Sequence, residues 1–428
     1  MKNETHGVEI EIQPRAVLVS LVTQNDKRAG VNADGSMQEL VSLAKTAGVE
    51  VLEQVIQNKE KPDFRWFIGK GKVEEIRILM DSLGGNSVIF DQELSGAQVR
   101  NLEAALDAKI IDRTQLILDI FAQRAKTREG IIQVELAQHS YLLPRLSGQG
   151  SNLSRLGGGI GARGPGETKL ETDRRHIRTR ITDLKHQLEE VTRHRTLYRE
   201  RRKKAGAVQV ALVGYTNTGK STLLKQLTGA DIYVQDQLFA TLDPTSRNLD
   251  LPGGKTVVLT DTVGFIQNLP HNLIAAFRAT LEEVNEADLI LHVVDASSDM
   301  RDEQMKVVDD LLQELGSSDK QQVVLYNKTD LCTPEQLEML PDDETHMRIS
   351  AYKESDLERI LNIIQDQLAG GIKTYRIPAD RGDLISQLYQ FSSVLEQEYE
   401  ENEAIIKVEI NAADYEKYGY RLQEYEIK

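Results

Sequence analysis

The chain is 428 residues long, with 67 acidic and 52 basic side chains, a formal net charge of −15 and 40% hydrophobic residues. That length suits two to four domains with ample core, and the lone cysteine, Cys332, excludes internal disulfides and cysteine-rich zinc sites. No apolar run approaches the ~18–20 residues that span a bilayer, and MKNETHGVEI has neither a basic n-region nor an apolar h-region, so a cytoplasmic protein without a membrane span is expected.

From about Arg15 to Arg113, strand and helix signals alternate. AVLVSLV has strand character, SMQELVSLAKTAG is a helix ending at Gly48, and VEVLEQVIQ is a strand again. KVEEIRILMDSLG is amphipathic, SVIFD is a buried strand, and SGAQVRNLEAALD is a helix with Ser95 as its N-cap. The alternation predicts a βαβ-type domain with a parallel sheet over 1–113. GKGKVEE (Gly69 to Glu75) resembles a fragment of a phosphate loop but lacks the full pattern, and is expected to be a plain loop.

At Thr114 the strand signal stops. TQLILDIFAQRAKTREGIIQVELAQHSYLLPRL predicts one long helix, weakened at Gly130 and ended around Pro144. A second helix runs to about Lys204, where Ile177, Ile181, Leu184, Leu188 and Val191 alternate spacings of four and three in an a/d seam. Together they predict an antiparallel helical hairpin over 114–206, with SGQGSNLSRLGGGIGARGPGE as its tip. Gly159 to Gly164 matches G-x-G-x-x-G literally. That fingerprint must follow a strand and open a helix, whereas here a helix precedes it and Pro165-Gly166 break the chain after it. Charge is uneven: Ser151 to Gly206 holds fifteen Lys/Arg against seven Asp/Glu, +8 in a chain whose remainder is −23. Such a stretch is either a solvated charged helix or a face directed at a polyanion. Arg155, Arg163 and Lys169 stand among tip glycines with no aromatic residue for base stacking, which suits close approach to folded RNA; the alternative is a flexible linker.

The next stretch, 207–370, predicts a GTP-binding domain. VQVALVG is a strand, followed by GYTNTGKS (Gly214, Tyr215, Thr216, Asn217, Thr218, Gly219, Lys220, Ser221) and a helical start, STLLKQL. Backbone amides of such a loop close around phosphates, the Lys220 ammonium reaches the β- and γ-phosphates, and the Ser221 hydroxyl suits Mg²⁺. FATLD (Phe239, Ala240, Thr241, Leu242, Asp243) carries Thr241, the candidate for a mobile threonine that completes the Mg²⁺ shell; the alternatives are Thr245 or a plain turn around Asp243-Pro244. DTVG (Asp261, Thr262, Val263, Gly264) follows a strand, with Asp261 suited to the outer shell of Mg²⁺ and the Gly264 amide to the γ-phosphate. NKTD (Asn327, Lys328, Thr329, Asp330) ends another strand, and the Asp330 carboxylate can accept two hydrogen bonds from a guanine edge but none such from adenine. Ser350-Ala351 follows a weaker strand, THMRI, and would back the base through the main chain. Phe265 stands where signalling GTPases carry a water-orienting glutamine, so hydrolysis is expected to need a partner, a retracted Phe265 or an added cation. Asn217 either helps to place a monovalent cation, K⁺, beside the phosphates or only forms a turn. The last stretch, 371–428, has no chemical motif and a charge of −5. YRIPADRGDLISQLYQF begins a helix and IIKVEI is a strand, so a small α+β unit is expected, with an acidic disordered tail as the alternative.

RLGGGIGARGPGETKLETDRR, DRTQLILDIFAQRAKTREGIIQVELAQ, GYTNTGKS, FATLDPT and DTVGFI together resemble the HflX family of ribosome-associated GTPases. The resemblance spans roughly Ala16 to Gly370. It implies an α/β multidomain protein: an N-terminal α/β domain, a hairpin whose tip enters the large ribosomal subunit near the peptidyl-transferase centre, and a Mg²⁺-dependent GTPase domain activated there. It implies splitting of stalled or hibernating ribosomes under stress, by a protein expected to be monomeric. Gly214 to Ser221, Phe239 to Asp243, Asp261 to Gly264, Asn327 to Asp330 and Ser350-Ala351 carry over as nucleotide contacts. Lys220, Thr241 and Gly264 carry over as the catalytic set, Ser221 and Thr241 as Mg²⁺ ligands, and Gly157, Gly158, Gly159, Gly161, Arg163 and Gly164 as ribosome contacts. The competing functions are a ribosome-binding regulatory GTPase without splitting activity and an RNA-remodelling ATPase; no ATP motif occurs outside the G domain.

Overall fold

The computed structural model describes residues 13–146, 169–204, 208–230, 237–267, 283–368, 371–400, 403–410, 415, 419 and 422–427. In chain order the N-terminal elements are β1 (Arg15–Val22), α1 (Gln24–Arg28), α2 (Ala33–Thr46), β2 (Glu50–Asn58), α3 (Lys70–Leu83), β3 (Ser87–Phe90), α4 (Gly96–Leu106) and β4 (Lys109–Asp112). The strands form one parallel sheet in the order β2-β1-β3-β4. Ser95 caps α4 in a reciprocal capping box with Gln98, as its place before the periodic run predicts. GKGKVEE departs from expectation: Gly69 is the N-cap and α3 starts at Lys70, because Val73, Ile76 and Met80 give the segment a buried face.

The helical region is α5 (Arg113–Arg124), α6 (Arg128–Arg145) and α7 (Lys169–Lys204). The single helix expected from Thr114 is thus two. The break falls at 125–127, before Gly130, where Thr127 turns its side chain onto the Gly130 amide and caps α6 afresh. Pro144 sits in the last turn of α6, which ends one residue later. Helices α6 and α7 pack through Ile132 and Leu136 against Leu184, with Ile181, Leu188 and Val191 alongside. Arg180 pairs with Glu135 and Arg195 with Glu129, so rising numbers on one helix meet falling numbers on the other: the pair is antiparallel. At 36 residues, α7 is about 54 Å long.

Next come β5 (Gln209–Val213), α8 (Lys220–Thr228), β6 (Thr245–Asp250), β7 (Thr256–Asp261), β8 (Leu289–Asp295), α9 (Arg301–Glu314), β9 (Gln322–Asn327), α10 (Pro334–Glu338), β10 (His346–Arg348) and α11 (Glu354–Leu368). Their sheet runs β10-β9-β8-β5-β7-β6, parallel except for β6. One face packs on α8 and α11 through Leu223, Leu224, Ile360 and Ile364. The opposite face shares a continuous core with the N-terminal part, in which Leu40 and Leu43 of α2 and Ile117 and Phe121 of α5 join Ala211, Val213, Phe265 and Val308. The two sheets are therefore welded through α2 and α5. The C-terminal elements are β11 (Gly371–Pro378), α12 (Gly382–Phe391), β12 (Ser393–Glu400), β13 (Glu403–Ile410) and β14 (Glu426–Ile427), an antiparallel sheet ordered β12-β13-β11-β14. YRIP is strand rather than the start of a helix, since Tyr375 and Ile377 alternate into a core with Leu384, Leu388, Ile406 and Val408.

Candidate functional site

Strand β5 ends at Val213 and α8 begins at Lys220, and the turn between them uses backbone conformations that few residues adopt. Gly214 lies at φ 157°, where a Cβ would overlap the Val293 carbonyl oxygen, and Gly219 at φ 98°, where one would overlap Asn327 Nδ2. Asn217 takes φ 60°, the left-handed region that asparagine tolerates. The Lys220 ammonium is buried under this turn, donating to the carbonyls of Gly214 (3.0 Å) and Tyr215 (2.6 Å). Burial lowers its pKa to about 8, with Asp261 opposing the shift. A glycine turn, a buried cation and a helix N-terminus make an anion cradle. Within it Thr218 Oγ1 donates to the Tyr215 carbonyl (3.1 Å), and Thr216 Oγ1 is buried without a protein partner.

Facing the cradle, three oxygen-bearing side chains meet. Ser221 Oγ lies 2.8 Å from Thr241 Oγ1, and both hydroxyls donate to Asp261 Oδ2, at 2.7 and 2.8 Å. Asp261 closes β7, is buried, and has its pKa raised by that burial against the opposing charge of Lys220. Its other oxygen, Oδ1, is buried with no partner. Two hydroxyls and a carboxylate with an unmatched oxygen form a hard-donor set that fits Mg²⁺. Thr245, the other threonine considered, begins β6 and is paired with Asp261 in the ladder. Gly264 approaches so closely that a Cβ would lie 2.9 Å from Thr216 Cα and 3.2 Å from Lys220 Nζ. Thr262 is buried and donates to the Leu212 carbonyl (2.8 Å), tying β7 to β5.

At the other end, Asn327 joins three loops. Its Nδ2 donates to the Thr218 carbonyl (2.8 Å) and its Oδ1 accepts from the Ala351 amide (3.0 Å). Lys328 adopts φ 65° and pairs with Asp295 (2.6 Å), and a short 3₁₀ turn, Thr329–Leu331, follows. Asp330 is exposed, with Oδ1 accepting from Ser350 Oγ (2.6 Å), so its carboxylate is presented with an orienting partner.

Several residues expected at the nucleotide are used differently. The Tyr215 hydroxyl reaches into the N-terminal part, where it bonds Glu39 and accepts from the Gln267 amide (2.7 Å). The Phe239 ring, at φ 55°, packs edge-on against Phe121 with centroids 4.6 Å apart; Leu242 and Val263 are core residues. Asp243 points away: its carboxylate accepts from the amides of Lys126 and Thr127, both at 2.9 Å, and from the Thr127 hydroxyl. The Phe265 ring is 2% exposed and belongs to the shared core. It is thus withdrawn from the cleft, while its backbone bridges to Gly214 and Thr216. Sequence reasoning missed Arg113 altogether. It is buried, ion-pairs with Asp91 (2.8 Å) and Glu39, and donates to the Gln267 carbonyl (3.3 Å). Burial raises the Glu39 pKa, and Arg113 opposes the rise. Nothing local to TQLILD marks such a residue. The tip glycines and Arg163 (157–164) lie outside the described residues.

Three family models match: GTP-binding GTPase N-terminal over residues 34–122, GTP-binding GTPase Middle Region over 124–202, and 50S ribosome-binding GTPase over 209–328. The chain is 48% identical to GTPase HflX of Caldanaerobacter subterraneus subsp. tengcongensis, covering 92% of this chain and 91% of that one. It belongs to the HflX family of GTPases. GTPase HflX of Alkalihalophilus pseudofirmus is 49% identical over 96% of this chain and 97% of its own, and that of Escherichia coli K12 is 41% identical over 92% and 93%. The chain is accordingly a GTPase. Among the described residues no helix is long and apolar enough to cross a membrane.

Proposed function

We propose that this GTPase binds the large ribosomal subunit through the tip of its hairpin, near the peptidyl-transferase centre, and uses its GTP cycle to dissociate stalled or hibernating ribosomes. The observation that carries this is the antiparallel α6–α7 pair, in which Ile132 and Leu136 of α6 meet Leu184 of α7 while Val134 and Ala137 of α6 anchor the pair in the shared core, and whose connection is the glycine-rich 147–168 with Arg155 and Arg163. Guanidinium groups among bare glycine backbone suit close packing against folded RNA. The match to a 50S ribosome-binding GTPase model supports the same choice of partner.

In the nucleotide cleft, the loop from Gly214 to Ser221 would wrap the phosphates, Lys220 would meet their charge, and the Gly264 amide would face the γ-phosphate. Asp330 would select guanine, backed by Ser350 and Ala351. Ser221 and Thr241, with Asp261 behind them, would hold Mg²⁺, which when bound neutralises phosphate charge. Asn217 would help to hold K⁺ beside the phosphate loop. With Phe265 withdrawn, no side chain at that position orients water, so activation on the ribosome is the expected source of fast turnover. The GTP form would hold the rod in its binding pose, and hydrolysis would release it.

The test is co-sedimentation with separated ribosomal subunits, with a non-hydrolysable GTP analogue or with GDP, followed by light scattering of intact ribosomes. Analogue-dependent binding to the large subunit and a GTP-dependent fall in scattering support the proposal. Binding without a fall in scattering leaves a regulatory GTPase, and faster turnover of ATP than GTP leaves an RNA-remodelling ATPase.

A further inference from the structure

The segment carrying Thr241 is pinned at three points to the elbow between α5 and α6. Arg124 of α5 bonds the Gln237 side chain, Phe121 of α5 packs on the Phe239 ring, and Asp243 accepts from the amides of Lys126 and Thr127, the two residues that lead into α6. The contact is chemically strong: a carboxylate accepting from the N-cap amide and the one before it, at the positive end of a helix dipole. Two residues upstream, Thr241 touches Ser221 and Asp261. Two residues into α6, Glu129 pairs with Arg195 of α7 (2.9 Å), so the capped turn is also the root of the hairpin. Phe239 holds a left-handed backbone conformation unusual for a bulky residue, which persists only where the surroundings over-determine it.

We propose that Asp243 is a positioning residue for GTP hydrolysis: seated on the N-terminus of α6, it holds Thr241 beside Ser221 and Asp261, and so links γ-phosphate recognition to the placement of the hairpin. This rests on the proposed role of Thr241 at Mg²⁺. Linkage is reciprocal: whatever the γ-phosphate gains from Thr241 it returns as stability of the capped elbow.

Gly130 provides the cleanest test. A methyl group built there would overlap Asp243 Oδ1, yet alanine is the better helix former, so Gly130→Ala disturbs the cap without weakening α6 intrinsically. Titrations of labelled GDP and a non-hydrolysable GTP analogue, both with Mg²⁺, are compared for Gly130→Ala, Asp243→Ala and Thr241→Ala. All three should lose roughly tenfold in analogue affinity and under about twofold in GDP affinity. Equal losses for both nucleotides, or none, in the Gly130 and Asp243 variants while Thr241→Ala behaves as expected overturn the cap's role. A Thr241→Ala variant indifferent to the γ-phosphate overturns the underlying role of Thr241, and the proposal with it.

Discussion

Both α/β sheets of the chain reverse their strand order beside a central strand, between β1 and β3 in the N-terminal sheet and between β5 and β8 in the G sheet. Open α/β sheets bind ligands outside the strand ends at such points. In the N-terminal crevice the polar groups are matched internally. Asp91 accepts from Ser20 (3.3 Å), Ser36 (2.7 Å) and Arg113 (2.8 Å), and Gln92 closes on Ser20 and the Leu21 carbonyl; Arg113 Nε is the exception. In the G crevice Asp261 Oδ1 and Thr216 Oγ1 stay unmatched, and the connecting turn is a glycine loop rather than a capped helix. Topology supplies the place in both. Only polar groups left for a ligand make one of them a nucleotide site, while the other serves as a buried clamp.

The largest expected effect is on the base end of the G crevice. Asp330→Asn replaces an acceptor by a donor and should cost ~10³-fold or more in preference for GTP over xanthosine triphosphate, measured by labelled-nucleotide titration. Unchanged GTP affinity would remove Asp330 from the base site. In the N-terminal crevice, Arg113→Met strands Asp91 and Glu39 and should cost about 3–5 kcal/mol in urea unfolding, without altering the choice of base. A cost below about 1 kcal/mol would show that the clamp is not structural.

Acid stability sharpens the contrast further. His292 of β8 is buried, and burial, joined by the charge of Lys220, lowers its pKa to about 4; Asp309 Oδ1, 3.9 Å away, does not compensate. The unfolded imidazole takes up its proton near pH 6.5. Between about pH 6.5 and 4 the unfolded chain binds a proton that the folded chain refuses, so stability falls as pH falls through that window and levels off below it. The loss is at most about 3 kcal/mol. His292→Leu should flatten this part of the stability–pH curve, and parallel curves for the two proteins would contradict the assignment. The smallest effect belongs to Phe265→Leu, which trims a core contact for about 1 kcal/mol and should leave basal GTP turnover within about twofold. A collapse of turnover at full stability would place the ring in the reaction after all.

The G site was legible because its chemistry is written in short strings, each at a strand end: GYTNTGKS after β5, DTVG closing β7, NKTD closing β9. The N-terminal elements were legible from periodicity and from caps such as Ser95. What failed was information carried by distant partners. The break at 125–127 depends on Asp243, more than a hundred residues away, whose carboxylate helps to make Thr127 a helix start. Tyr215 looked like one more loop residue, but its hydroxyl answers to Glu39. Phe239 and Leu242 sat inside a recognisable switch string, and only the shared core with α5 explains why they are apolar. In β12 the segment EQEYE, with three glutamates in five residues and no apolar alternation, gives no strand signal of its own and pairs with β13.

The central claim is that the hairpin tip delivers this GTPase to the large ribosomal subunit. It is tested most directly by replacing 157–166 with a Gly/Ser linker of equal length and measuring GTP turnover with and without purified large subunits. The seam of α6 and α7 lies outside the replaced segment, so basal turnover should be unchanged and the stimulation by large subunits lost. A linker variant still stimulated to the full extent would make the tip a mere connector and contradict the account.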